Sequence, residues 1–356
     1  MIVKRSPAAG VAMLLVLVAA SCSSGSTSST SPKSVTTAPP AATSSSSPSA
    51  PSATTSSTTS PAGEAPICSS EPEPGATTHE LAGGGVESSY LLYLPPSVGP
   101  EPAPVVLDFH GLGSNGVQQV TVSRFRTLAD DQGFVVVNPT GTPAAGSGQN
   151  SWELPQLDTN PDRDDIAWVS ALLDDLGNHA CVDPSRIYAT GLSNGGFFSS
   201  VLVCELADRI AATSSVAGIT HPETCEPSRP VPMLAFHGTA DDVVPYGGGD
   251  SVLAGADSPQ ALHQFFAQSM PDELAQFATD FACSSTTETE LTDLISRTDY
   301  VDCDGDVSLQ FHHIEGDGHT WPGSILLAPF VPTTLDLDAT QVAWDFFQQW
   351  SLPAAG

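Results

Sequence analysis

Arg186-Ile187-Tyr188-Ala189-Thr190-Gly191-Leu192-Ser193-Asn194-Gly195-Gly196-Phe197-Phe198-Ser199-Ser200 is the stretch from which the fold can be read. Its first part is a short run ending in Gly191, the mark of a buried strand, and the residues after Ser193 read as the start of a helix. Gly191 to Gly195 is therefore G-x-S-x-G at a strand-to-helix turn, the setting of a nucleophile elbow. Small flanking residues let strand and helix approach, and Ser193 then projects its Oγ above the sheet edge. The backbone N–H of Asn194, at the new helix's N-terminus, is placed to face a developing oxyanion. A glycine-rich loop would carry the same five residues by chance, so the decision rests on the rest of the chain.

On either side of this stretch, strands and helices alternate. Val86 to Leu94 reads as an early antiparallel strand. Val105 to His110 and Phe134 to Asn138 are apolar runs stopped by Gly111 and Pro139, with helical spacing between them from Val120 to Asp131. Asp165 to Leu176 and Asn194 to Ala207 are expected helices. Ala211 to Ala217, Val231 to His237 and Leu309 to Ile314 are expected strands, and Thr340 to Trp350 a closing amphipathic helix. The pattern predicts an α/β fold with a mostly parallel central sheet covered by helices on both faces, and with its working residues at the strands' C-terminal ends.

The chemical landmarks fall at such ends. His110-Gly111-Leu112-Gly113 can turn the N–H of Leu112 toward a Ser193 oxyanion, although a tight turn needs the same glycines. His237 to Pro245, H-G-T-A-D-D-V-V-P, offers a carboxylate, and His319 lies in G-D-G-H-T-W-P-G after the last strand. The order Ser193, Asp241, His319 is that of the α/β-hydrolase triad. Successive residues of a turn diverge, so only one of Asp241 and Asp242 can meet His319, and the spacing from Gly238 favours Asp241.

G-L-S-N-G-G, H-G-T-A-D-D-V-V-P-Y and G-D-G-H-T-W-P-G resemble the three signature loops of the polyhydroxybutyrate-depolymerase-like esterases, a group that includes feruloyl and acetylxylan esterases of carbohydrate esterase family one. The likeness runs from about Tyr90 to Trp350 and takes in D-D-I at Asp164 to Ile166 and the cysteine pair around the late hairpin. It implies the α/β-hydrolase fold, with Ser193 as nucleophile, Asp241 as acid and His319 as base, and no metal or cofactor. Asp242 stands where the family commonly has Pro. The implied substrate is a small or oligomeric carboxylic ester, either a short hydroxyalkanoate or a feruloyl or acetyl ester of plant polysaccharide. A catalytically inert surface-binding protein on the same scaffold is the reading from another class.

Trp152, in the long loop from Thr140 to Asp164, and Trp321, two residues past His319, are candidates to line a substrate cleft or to pack beneath a loop. His110 and His237 precede glycines at strand ends and read as loop supports. His312 and His313, adjacent on a strand, must point to opposite faces. Asp304-Gly305 reads as a hairpin turn rather than part of a calcium loop.

The N-terminal residues 1–21 carry Lys4 and Arg5, an apolar run from Ala8 to Ala20, and then Ser21 before Cys22. This has the form of an export signal and resembles a lipoprotein signal, with Cys22 as the lipidated residue; ordinary cleavage near Ala20 is the alternative. Residues 22–66 are mostly Ser, Thr, Pro and Ala with little to bury, a solvated tether. Residues 67–356 are long enough for one substantial domain. All 40 acidic residues lie after position 63, accompanied by seven Arg and no Lys, so the folded part carries a net charge near −33. That field opposes binding to nucleic acid. The expected membrane contact is the lipid anchor alone, and the expected state is a monomer.

Six cysteines besides Cys22 and an export signal argue for three disulfides. Cys283 with Cys303 would close a loop between a helix end and a hairpin. Cys181 precedes the elbow strand and Cys204 lies about 15 Å down the returning helix, which suggests a second pair, and Cys68 with Cys225 follows by elimination. No C-x-x-C spacing points to zinc.

Overall fold

In the computed structural model, residues 73–353 are described, apart from 145–146, 158–161 and 257. Cys22, Cys68, the signal-like segment and the tether lie outside the described residues. Among the described residues, ten strands form one sheet: β1 (Gly75–Gly83), β2 (Val86–Leu94), β3 (Ala103–Phe109), β4 (Val135–Pro139), β5 (Val182–Leu192), β6 (Ala212–Val216), β7 (Met233–Gly238), β8 (Ser285–Thr292), β9 (Ile295–Val301) and β10 (Leu309–Ile314). Their order across the sheet is β1-β2-β4-β3-β5-β6-β7-β10-β9-β8. The six from β4 to β10 run parallel. β1 and β2 at one edge, and β9 and β8 at the other, are antiparallel additions.

Parallel strands need both faces covered, and their residues show it: all seven of β3 are buried. Val105, Leu107 and Phe109 alternate onto one apolar layer with Trp168 and Leu172 of α3 (Asp165–Leu176) and Phe198 and Val201 of α4 (Asn194–Glu205). Val106 points to the opposite layer, with Phe125 of α2 (Phe125–Gln132) and Trp344 and Phe347 of α7 (Ala339–Phe347). α4 is buried from Gly195 to Cys204, so it sits as the central helix of its layer. The mostly parallel sheet expected from the alternation is observed, in the α/β-hydrolase arrangement that the family resemblance implied.

Besides β1, β8 and β9, strands that the sequence reading did not announce, local detail departs from it in three places. The helical spacing from Val120 to Asp131 belongs to two helices, α1 (Gly116–Ser123) and α2, broken at Arg124, which takes a left-handed conformation with φ 62°. Arg124 also reaches Asp338, the N-cap of α7, at 2.9 Å. Two helices the spacing did not announce, α5 (Gln260–Phe265) and α6 (Met270–Asp280), precede the β8–β9 hairpin. The third is the cysteine pairing. Cys283 joins Cys303, as expected, but Cys204 joins Cys225, which removes both the Cys181–Cys204 and the Cys68–Cys225 pairs. Cys204 lies at the far end of α4, where the chain leaving β6 passes on its way to β7. Cys181 is disulfide-bonded to another partner.

Candidate active site

The C-terminal ends of β3, β5, β6, β7 and β10 line one edge of the sheet, in register from Gly191 beside Ser215 to Gly238 beside Ile314. Ser193 follows β5 immediately, Asp241 comes three residues after β7, and His319 five after β10. Adjacent strands are about 4.8 Å apart, so Asp241 and His319 rise from neighbouring strands, while Ser193 rises one strand further along, across β6.

Ser193 has φ 57° and ψ −118°, a conformation that L-residues rarely adopt. Crowding enforces it. A Cβ on Gly191 would lie 2.5 Å from the Gly195 carbonyl, and one on Gly195 would lie 2.3 Å from the Phe109 oxygen. Only glycines let β5, α4 and β3 meet this closely. The Ser193 N–H donates to Val216 O at 2.8 Å, which ties the turn to the next strand. The Ser193 side chain is half-buried; among the described residues no hydrogen bond joins its Oγ to His319.

His319 Nδ1 lies 2.8 Å from Asp241 Oδ2. The other oxygen, Oδ1, accepts the N–H groups of Val243 and Val244, each at 2.9 Å. Asp241 is buried and Asp242 exposed, so the turn itself decides between the adjacent carboxylates. Burial alone would raise the Asp241 pKa, but hydrogen bonds and charge from His237 and His319 outweigh it and hold the carboxyl well below the usual range. His237 Nε2 is 3.3 Å from Asp241 Oδ2 and closer, 2.9 Å, to Val244 O. We take the carbonyl as its main acceptor and Asp241 as a weaker second. The two loops are stitched together: Ala240 N donates to Asp317 O at 2.9 Å, Thr239 N to Ile314 O at 2.9 Å, and Gly316 N to Thr239 Oγ1 at 3.0 Å.

Of the candidate oxyanion donors, Asn194 N–H heads α4 and Leu112 N–H lies in the turn after β3. Among the described residues neither has a hydrogen-bond acceptor. His110 is fully buried: its Nε2 accepts Gly141 N–H at 2.9 Å, so its Nδ1 carries the proton donated to Gly111 O at 2.7 Å. Burial lowers its pKa to about 4. It supports the loop as a neutral ring, the role its position before a glycine suggested. His312 is buried and stacks on Phe236, while His313 bonds Tyr246 and Thr298 on the other face.

The two tryptophans are not cleft walls. Trp152 is 3% exposed and stacks on Phe198 with ring centroids 5.1 Å apart. Trp321 is 1% exposed and donates its indole N–H to Thr340 Oγ1 at 3.0 Å. Each is drawn inward by an apolar layer and a buried acceptor for its N–H. An open hollow of about 680 Å³ lies instead between the β8–β9 hairpin and the end of β10, lined by Glu288, Glu290, Asp293 and Glu315; none of Ser193, Asp241 and His319 lines it. Sequence reasoning also missed the Asn194 side chain, whose Oδ1 accepts Trp152 N–H at 2.6 Å and whose Nδ2 donates to Trp152 O at 3.0 Å. No local pattern signals a contact across 42 residues.

A strained serine between a strand and a helix, with a histidine and a buried aspartate at later strand ends, defines the α/β-hydrolase class. Residues 88–229 match the family model described as esterase PHB depolymerase. The matched span contains Ser193 and ends before Asp241 and His319. The chain is 27% identical over 268 residues to a bifunctional acetylxylan esterase/xylanase of Neocallimastix patriciarum, covering 73% of this chain and 33% of that protein. It is 28% identical over 260 residues to feruloyl esterase B of Piromyces equi, covering 72% and 44%. It therefore spans a third to under half the length of these relatives. An acetyl xylan esterase structure from Aspergillus awamori shares the fold, with TM-score 0.50 and 16% identity over 68% of this chain and 94% of that one.

Proposed function

We propose that this chain is a serine carboxylic-ester hydrolase working through Ser193, His319 and Asp241. The observation that carries the reading is the 2.8 Å contact between His319 Nδ1 and buried Asp241, on the same sheet edge as a serine held in a strained elbow. With Nδ1 bound to the carboxylate, His319 presents Nε2 as the base. It takes the Ser193 proton as Oγ attacks the ester carbonyl. Asp241 fixes the ring's tautomer and stabilises the imidazolium. The N–H groups of Leu112 and Asn194 stabilise the tetrahedral oxyanion. The alcohol leaves with the proton from His319, and water, activated by the same base, releases the acid. A fluorophosphonate probe should label the purified protein and leave Ser193→Ala unlabelled; labelling that survives this substitution overturns the reading.

For the substrate, the family match supports short hydroxyalkanoate esters, and the relatives named as acetylxylan and feruloyl esterases support acyl groups on polysaccharide. Turnover of hydroxybutyrate trimer against methyl ferulate under equal conditions decides between them. The disulfides Cys204–Cys225 and Cys283–Cys303 suit an oxidising compartment. The proposed location is accordingly outside the cytoplasm, anchored through Cys22, which palmitate labelling of the full chain and its Cys22→Ser variant would test.

A further inference from the structure

We propose that Trp152 is a positioning residue that holds the two oxyanion donors at a fixed separation; the proposal rests on the ester-hydrolase reading. The N–H of Leu112 belongs to the turn after β3 and that of Asn194 to the start of α4. Sequence-local geometry does not set the distance between them. Two donors stabilise one oxyanion only if both lie about 2.7–3.1 Å from the same point, so something must fix one segment against the other.

Trp152 touches both. Its main chain pairs with the Asn194 side chain through two hydrogen bonds, 2.6 and 3.0 Å, gripping the residue that supplies one donor. Its indole Nε1–H donates to His110 O at 3.0 Å, two residues before the other donor. The ring is wedged between the two elements, stacked on Phe198 of α4 and edge-on to Phe109 of β3 at 5.0 Å. The same loop holds the Leu112 turn from its far side: Gly113 N donates to Asn150 O at 2.8 Å, and Asn150 Nδ2 to Ser114 O at 3.0 Å.

Trp152 is itself held from beneath. Arg163 and Asp165 form a buried ion pair, their side chains 3% and 2% exposed. Asp165 Oδ2 accepts Glu153 N–H at 2.8 Å, and the Arg163 guanidinium donates to Ser151 O. The pair thus grips both chain neighbours of Trp152. A buried charge pair contributes little net stability after desolvation, but it fixes geometry. Here the geometry it fixes is that of a residue bridging the two donor segments.

The test compares the wild type with Trp152→Phe, which keeps an aromatic ring but deletes the indole N–H, and Asn194→Ala, which keeps the backbone donor and deletes both bonds to Trp152. Active sites are first titrated with a fluorophosphonate, so that misfolded protein is not counted. Turnover of p-nitrophenyl butyrate is then expressed per titrated site. A trifluoromethyl ketone, which adds to the serine as a tetrahedral oxyanion, reports donor placement directly. The expected result is a fall of about tenfold or more in kcat for both variants with KM within about twofold, and trifluoromethyl ketone affinity lost in parallel. A purely structural role predicts fewer titratable sites and a lower Tm, with unchanged kcat per site and unchanged ketone affinity, and that result overturns the proposal. Failure of the wild type to react with the fluorophosphonate would instead overturn the ester-hydrolase reading, and the proposal with it.

Discussion

Asp241 Oδ2 stands 2.8 Å from His319 Nδ1, while the next residue, Asp242, points to solvent. Asp241→Asn should lower kcat on p-nitrophenyl esters by on the order of 10³–10⁴-fold, because an amide there favours the wrong imidazole tautomer. Asp242→Asn should stay within about twofold of the wild type. Equal losses in both variants, with circular dichroism unchanged, would transfer or share the role.

Gly195 is under a steric constraint that Gly247 is not. A Cβ at Gly195 meets the Phe109 carbonyl oxygen at 2.3 Å and its carbon at 2.6 Å, whereas one at Gly247 meets nothing within 4 Å. Both clashing atoms are backbone, so neither can rotate away. Gly195→Ala should lose at least about 1–3 kcal/mol of stability, and Gly247→Ala should remain within roughly 0.5 kcal/mol. Thermal melts of the two variants check both values.

Glu273, buried on α6 with its Oε2 accepting His221 N–H at 2.6 Å, has its pKa pushed up to about 7 by burial and, less, by Asp272, against that hydrogen bond. The folded form therefore holds a proton that the unfolded chain releases near the ordinary value of 4.5. The stabilising contribution is complete below about pH 4.5, declines as the pH rises toward 7, and is absent above it. Glu273→Gln removes this dependence. Relative to the wild type, its Tm should rise between pH 4.5 and 8; parallel Tm profiles would contradict the assignment.

Peptide mapping without reduction should recover Cys204 with Cys225 and Cys283 with Cys303. The Cys283–Cys303 link closes a 20-residue separation, for which loop entropy alone gives about 3 kcal/mol. Cys303→Ser should lower stability by about that much in denaturant titration. Recovery of Cys204 bound to Cys181 would contradict the arrangement described.

The sheet core and the order of Ser193, Asp241 and His319 were legible because each depends on residues close in sequence: a run of apolar residues, then a glycine, then a polar side chain at a strand end. Cys204 was assigned to the wrong partner because distance along a helix says nothing of which chain crosses it. Trp152 and Trp321 were equally open to a wall or a packing role, since both roles favour large rings beside a loop. Asp108 illustrates a further limit. It sits within the apolar run V-V-L-D-F-H, yet it is wholly buried, accepting hydrogen bonds from Gln119, Ser123 and Asn138, with burial raising its pKa to about 7. The partners that permit such a burial come from α1 and β4, and no spacing rule couples them.

The dihedral angles of Ser193 set heat resistance and turnover against each other. Holding a non-glycine residue at φ 57°, ψ −118° costs about 1–3 kcal/mol, and a glycine at that position relieves it while destroying the nucleophile. Repeated rounds of mutagenesis screened only for survival at high temperature should therefore enrich Ser193→Gly, yielding a sturdier and silent protein. Improvement of this scaffold for use has to score activity in every round, because the easiest gain in durability lies at the one atom the chemistry cannot lose.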